Sequence, residues 1–212
     1  MADRRQIYLI DDDDAVRRSA GFMLKAAGFA VDSYASGVAF LKDVAPLAPG
    51  CILLDVRMPG MDGVEVQRAL NERGITFPVI VLTGHGDVNV AVSAMKAGAM
   101  DFIEKPFEKA VLLAALEQGF SQIEQSDRHR ARAAEAALRL NVLTAREHDV
   151  LEGLVRGHPN KTIAYDLGIS ARTVEIHRAN LMTKLNVRSL SEALRIAFAA
   201  GLGDAPVMAP EG

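Results

Sequence analysis

Five polar side chains in the first 110 residues stand at the ends of apolar runs, and together they carry the chemistry needed to handle a phosphoryl group. Asp55 closes the run Cys51-Ile-Leu-Leu and precedes Met58-Pro59-Gly60. Asp11 and Asp12 follow Gln6 to Ile10, Thr83 ends Val79 to Leu82, and Lys105 follows Asp101-Phe-Ile-Glu104. A carboxylate is a ready nucleophile, and a hydroxyl and an ammonium suit phosphoryl oxygens. Clustered carboxylates repel one another unless a hard cation intervenes, and an oxygen donor set that retains waters suits Mg²⁺. Each residue also has a plainer use. Asp55 could cap a turn, the acids at 11 to 14 could decorate a helix start, Thr83 could be an N-cap and Lys105 a surface charge. Their recurrence at strand ends favours one shared site, because open α/β sheets collect ligands at the carboxyl edge.

The elements that would position these groups alternate regularly. Strand patterns at Gln6 to Ile10, Phe29 to Tyr34, Cys51 to Asp55, Val79 to Thr83 and Asp101 to Ile103 are interleaved with helical spacing. The predicted helices are Ala15 to Ala27, Ser36 to Val44, Gly63 to Arg73, Val88 to Ala97, and one from Phe107 onward, with Gly28 as a C-cap. Five strands alternating with five helices predict a doubly wound, five-stranded parallel sheet covered on both faces. If the first and third strands are neighbours, Asp11, Asp12 and Asp55 meet, and Asp13 stays open as a further contributor.

The chain of 212 residues is 50% hydrophobic without an apolar run long enough to span a bilayer, and no apolar signal core opens it. A cytoplasmic protein with no membrane partner is expected. The single cysteine, Cys51, lies inside an apolar strand, which excludes a disulfide framework and a multi-thiolate metal site. Charge is unevenly spread. Residues 1 to 125 hold 12 Lys/Arg against 17 Asp/Glu, whereas 126 to 202 hold 12 against 8. The second segment, at +4, can face a polyanion more easily than the first, at −5.

Asp11-Asp12, Asp55, Met58-Pro59-Gly60, Thr83 and Lys105-Pro106 resemble the receiver domain of two-component response regulators over residues 5 to 122. The resemblance implies a flavodoxin-like (CheY-like) fold in which Asp55 accepts a phosphoryl group from a sensor histidine kinase. It implies a Mg²⁺ site of Asp11, Asp12, Asp55 and the backbone carbonyl of Arg57. Thr83 and Lys105 would bind the phosphoryl oxygens, and Thr83 with Phe102 would form the switch. A Phe at 102 cannot hydrogen-bond outward, so packing alone would have to drive that switch. Arg57 and His85, two residues beyond Asp55 and Thr83, flank the route of attacking water and are expected to set the lifetime of the phosphorylated state. No enzymatic turnover of an added substrate is expected, only self-phosphorylation and autodephosphorylation.

After residue 125 the pattern becomes wholly helical. Residues 123–140 are read as a linker, either a helical continuation or a flexible charged segment, with a short coiled coil as the lesser alternative. Thr144 and Glu147 form a capping box, Asn160 opens a short helix stopped by Gly168, Ser170 caps a helix from Ala171 to Leu185, and a last helix spans Ser189 to Ala200. Short helix, Gly-containing turn and longer basic helix form a helix-turn-helix pattern, against which stands a small helical dimerisation domain. The residues Leu143-Thr144-x-Arg146-Glu147, Asn160-Lys161-x-Ile163-Ala164, Leu167-x-Ile169-Ser170-x-x-Thr173-Val174 and His177-x-x-Asn180-x-x-x-Lys184-Leu185 resemble the four-helix DNA-binding domain of the NarL/FixJ (LuxR-type) regulators over 141–202. Thr83-Gly-His-Gly-Asp87 and the run Ala97 to Phe107 resemble the FixJ branch most.

That resemblance implies that the helix from Ala171 enters the major groove of double-stranded DNA. Arg172, Thr173, Glu175, Ile176 and Ala179 would face base edges, with Glu175 accepting from a cytosine amino group. Lys161, Arg178 and Lys184 would contact phosphates, and Val174, Leu181 and Leu185 would be core. A phosphorylation-driven homodimer on a two-fold promoter site is expected, paired through Val92, Met95 and Lys96. Residues 203–212 are expected to be a disordered tail. The rivals are a phosphoaspartate phosphatase and a phosphorylation-independent DNA-binding regulator with a vestigial receiver.

Overall fold

Strict alternation of side chains along three central strands divides the first unit's core in two. In the computed structural model, which describes residues 5–84 and 88–203, the strands are β1 (Gln6–Ile10), β2 (Ala30–Tyr34), β3 (Cys51–Asp55), β4 (Val79–Thr83) and β5 (Asp101–Glu104). They form one parallel sheet in the order β2-β1-β3-β4-β5. Tyr8, Ile10, Ile52, Leu54, Val79 and Val81 face one side, where they pack on α2 (Gly37–Asp43), α3 (Gly63–Glu72) and α4 (Val88–Lys96). Ile7, Leu9, Cys51, Leu53, Ile80 and Leu82 face the other, against α1 (Asp14–Ala26) and α5 (Lys109–Leu140). β3 and β4 are buried at every position, as strands covered on both faces must be. Burial pushes the Cys51 thiol up to about 12, so it serves as a small apolar side chain rather than a reactive one.

Local chemistry fixes the ends of these elements. The Asp13 carboxylate accepts from the N–H groups of Ala15 and Val16, capping α1. Ser36 caps α2, and Asp62 with Glu65 forms a capping box on α3. β2 begins one residue later than the apolar pattern suggests, because Phe29 turns inward and stacks on Phe120 at 5.6 Å.

Gly63 couples α3 to the sheet. A Cβ there would lie 2.6 Å from the Asp55 carbonyl oxygen and 3.0 Å from Val56 Cα, both backbone atoms that cannot swing away. Gly63→Ala is therefore expected to destabilise this unit by about 1–3 kcal/mol, the usual cost of overpacking. Urea unfolding checks this, and an unchanged midpoint would show that α3 shifts freely.

The chain divides into two compact units, residues 1–126 and 127–212. α5 is one helix of 32 residues whose last turns, at Ala136 and Leu140, join the core of the second unit. That core also takes in α6 (Ala145–Val155), α7 (Asn160–Leu167), α8 (Ala171–Lys184) and α9 (Leu190–Ala199). Thr144 and Glu147 make a reciprocal capping box on α6, Ser170 caps α8, and Ser189 caps α9. Gly168 ends α7 in the left-handed conformation that glycine adopts at no steric cost. No helix among the described residues is long and apolar enough to cross a membrane.

Candidate functional site

β1 and β3 are adjacent, with Ile10 opposite Leu54, so the residues that follow them converge. Carboxylate oxygens of Asp11, Asp12 and Asp55 all lie within 4.8 Å of one another. Asp11 is fully buried and Asp55 6% exposed, whereas Asp12 faces solvent. Lys105, just beyond β5, donates from Nζ to Asp11 Oδ2 at 2.5 Å and to Asp55 Oδ1 at 2.6 Å. Its backbone N–H donates to the Thr83 carbonyl at 2.7 Å, which ties the ammonium to the end of β4. Thr83 is 3% exposed and is a strand residue rather than a helix cap.

Burial pushes the Asp55 carboxyl above the usual range, and the repulsion of Asp11 and Asp12 adds to it against the opposing bond from Lys105. Burial works against charge on Lys105 as well, but its bonds to Asp11 and Asp55 outweigh that, and its affinity for the proton rises. The net result is an acidic pocket held by one ammonium. An all-oxygen donor set with one member open to solvent is the kind a hard cation accepts while retaining waters.

Asp13 does not belong to this group. Its oxygen is committed to the first N–H groups of α1, so the open question over its contribution closes on a capping role. Asp14 pairs with Arg17 and Arg18, and Arg17 also donates to the Asp11 carbonyl at 2.6 Å. Phe102 on β5 is 47% exposed, and Val92, Met95 and Lys96 share the exposed surface of α4. Arg57 is exposed beyond Asp55, while His85 and the loop to Asp87 lie outside the described residues, as does the segment 204–212.

In the second unit, α8 presents Arg172, Glu175, Ile176 and Ala179 to solvent, with Thr173 partly covered. Thr173 shares a 2.8 Å hydrogen bond with the capping hydroxyl of Ser170. Arg172 and Glu175 pair at 3.0 Å with 81% and 52% of their side chains exposed, a contact that water screens heavily. Arg178 donates to Asn160 Oδ1 at 2.7 Å, joining α8 to the start of α7, where Lys161 is exposed. Val174, Leu181 and Leu185 are buried. Lys184 differs from the other basic residues. Its Nζ donates to Glu147 Oε2 at 2.7 Å, and Glu147 is 3% exposed. Burial acts to raise the Glu147 pKa, but the bonds from Lys184 and Thr144 prevail and leave it below the ordinary value.

Comparison with known proteins accounts for both units. Residues 7–117 match the family described as response regulator receiver domain, and residues 141–197 match bacterial regulatory proteins of the luxR family. The chain is 49% identical over 210 residues to the transcriptional regulatory protein FixJ of Azorhizobium caulinodans, covering 99% of this chain and 100% of that protein. It is 41% identical over 197 residues to the response regulator protein TodT of Pseudomonas putida, covering 92% and 87%. Among solved structures, the response regulator StyR superposes with a TM-score of 0.74 at 40% identity, covering 92% of this chain and 99% of that one. Full-length FixJ from B. japonicum gives 0.59 at 47% identity, covering 93% and 97%. With receiver and helix-turn-helix segments both matched in order along nearly its whole length, the chain belongs to the FixJ-like response regulators, transcription regulators that join a receiver to a LuxR-type DNA-binding domain.

Proposed function

We propose that Asp55 is the phosphoryl acceptor of this regulator and that a sensor histidine kinase supplies the group. The supporting observation is the convergence of Asp11, Asp12, Asp55 and Lys105 at the carboxyl edge of the sheet. Phosphoryl transfer needs positioning and charge neutralisation more than covalent assistance, and this site offers both. A Mg²⁺ ion held by Asp11, Asp12, Asp55 and the Arg57 carbonyl would neutralise the transferring oxygens when bound. Asp55 attacks phosphorus, an O–P bond forms as the N–P bond to the kinase histidine breaks, and the imidazole leaves. Lys105 shifts from Asp55 to a new phosphoryl oxygen, and the Thr83 hydroxyl bonds another.

Movement of Thr83 makes room for Phe102, whose half-exposed ring then exchanges solvent for packing. The altered face, with Val92, Met95 and Lys96, pairs two copies. Each copy reads one half-site through Arg172, Thr173, Glu175, Ile176 and Ala179, and Lys161 and Arg178 hold phosphates. The weak exposed pairing of Arg172 with Glu175 leaves both side chains free to exchange partners for base edges.

Light scattering after size exclusion tests the switch, with and without Mg²⁺ plus beryllofluoride, on the wild type and Asp55→Asn. The wild type is expected to become a dimer only with the mimic and to bind promoter DNA more tightly in that state, while Asp55→Asn stays unchanged. Equal DNA binding with and without the mimic would overturn the proposal in favour of a vestigial receiver.

A further inference from the structure

The helix that carries the base-reading side chains, α8, is held to its own unit by a narrow seam. Of its 14 residues only Val174 and Leu181 are buried, with Leu185 just beyond its end. These three positions form one thin apolar stripe along a helix about 21 Å long. Such a stripe fixes how deep α8 sits but leaves its roll and tilt to polar contacts.

The C-terminal end of α8 is closed in two steps. Asn186 takes a left-handed φ of +51°, its N–H donates to the Thr183 carbonyl at 3.1 Å, and the Val187 N–H donates to the Met182 carbonyl at 3.0 Å. This is the Schellman arrangement, which satisfies two of the carbonyls that a helix end leaves without partners. The Leu185 carbonyl is taken by another element. Arg139, in the last turn of α5, donates to it from Nη2 at 2.7 Å. A cation there also meets the negative end of the helix dipole. Arg139 itself is exposed and fills no space in the core, so its contribution lies in this bond. Its neighbour Leu140 is buried in the same core as Leu181 and Leu185. Earlier along α5, Leu112, Leu116 and Phe120 are buried in the receiver core. One helix therefore supplies both receiver packing and the support of α8's last turn.

We infer that Arg139 is a positioning residue: by holding the C-terminal end of α8, it lets the linker helix α5 set the angle at which α8 meets base edges. The inference rests on the reading of α8 as the helix that enters the major groove. Arg139 touches no base in this account and acts through the side chains that α8 carries.

The full-length protein, treated with Mg²⁺ and beryllofluoride, is titrated with two labelled duplexes: one that the wild type selects from a random-sequence pool, and a scrambled duplex of the same length. Arg139→Met keeps the length of the side-chain stem and removes the donors. It is expected to weaken binding to the selected duplex by about tenfold, the discrimination carried by one good base contact. Binding to the scrambled duplex, and the slope of log affinity against log salt, are expected to match the wild type. Arg139→Lys restores a donor and a charge without the planar fork and is expected to recover part of the loss. Amide protection should fall in the last turn of α8 and hold in α6 and α9, which shows that the unit remains folded. Equal weakening on both duplexes would overturn the inference, since neither a loosened domain nor a lost phosphate contact discriminates between sequences. Unchanged binding to both would overturn it as well. Arg172→Ala, which acts at the base edge itself, tells which reading has failed. Discrimination lost in that variant but kept in Arg139→Met sinks the positioning role alone, whereas discrimination kept in both sinks the reading of α8 too.

Discussion

Asp55→Asn is expected to abolish phosphoryl uptake from acetyl phosphate and, without divalent cation, to leave the receiver more stable than the wild type; Lys105→Ala is expected to do the reverse to stability. Asp55 sits in a buried acidic site where its carboxyl titrates above the ordinary range. A carboxyl with a raised folded pKa contributes stability that is present at low pH and lost as pH rises through that value. At neutral pH its ionised form is therefore a cost, and asparagine removes that cost while Lys105 keeps Asp11 as partner. Removing Lys105 instead leaves Asp11 and Asp55 buried with no ammonium between them. Breaking a buried pair in this way costs about 3–5 kcal/mol. Mg²⁺ is expected to recover much of the Lys105→Ala loss, because a cation in the cluster takes over the neutralisation. Phosphoryl uptake by that variant should still fall by about 10²–10³, the typical effect of deleting one oxyanion donor. Amide exchange along β1 and β3, with and without Mg²⁺, reads the receiver apart from the second unit. A Lys105→Ala receiver as stable as the wild type without cation would show that Lys105 does not hold the cluster.

What was legible in the sequence divides by range. Strand ends were readable, because apolar runs that stop at Asp11, Asp55, Thr83 and Lys105 encode both the element and the edge it delivers to. Helix starts at Thr144, Ser170 and Ser189 and the stop at Gly168 were readable for the same reason, as capping depends on residues within four positions. Partners distant in the chain were not. Asp13 as cap or as ligand is decided by where the turn before α1 places its oxygen, which no spacing among four consecutive aspartates can express. The bond from Arg178 to Asn160 joins residues 18 apart, and that from Lys184 to Glu147 joins residues 37 apart. Helical period places each residue on a face but cannot name the group that meets it. The exposure of Phe102 is likewise a property of packing, since β5 shows an interrupted pattern with only Ile103 buried among its four residues.

Lys184→Ala is expected to cost DNA binding mainly by loosening the second unit rather than by removing a phosphate contact. Its ammonium is bound to a carboxylate that is 3% exposed and that simultaneously accepts from the Thr144 N–H at 2.8 Å in the α6 capping box. Without Lys184, Glu147 keeps the cap but holds a buried charge with no counterion. Lys184 itself remains 37% exposed, so solvent screening brings the loss below the roughly 3–5 kcal/mol typical of a fully buried pair. Glu147→Ala adds the lost cap, about 1 kcal/mol, and a Glu147→Gln, Lys184→Met double variant should recover part of either single loss. The pH dependence has a defined sign. Glu147 titrates below its ordinary value of 4.5, so its contribution is full above that pH and is lost as acid protonates it through the lower folded value. The protection of amides in α6 and α8, after the intrinsic pH dependence of exchange is divided out, should therefore fall in acid for the wild type and depend less on pH in Glu147→Gln. Salt dependence separates the two roles of Lys184. A lost phosphate contact lowers the slope of log affinity against log salt by about 0.9, whereas a loosened domain binds more weakly at every salt concentration with the slope retained. A reduced slope in Lys184→Ala, with exchange in α6 unchanged, would return this residue to the DNA backbone.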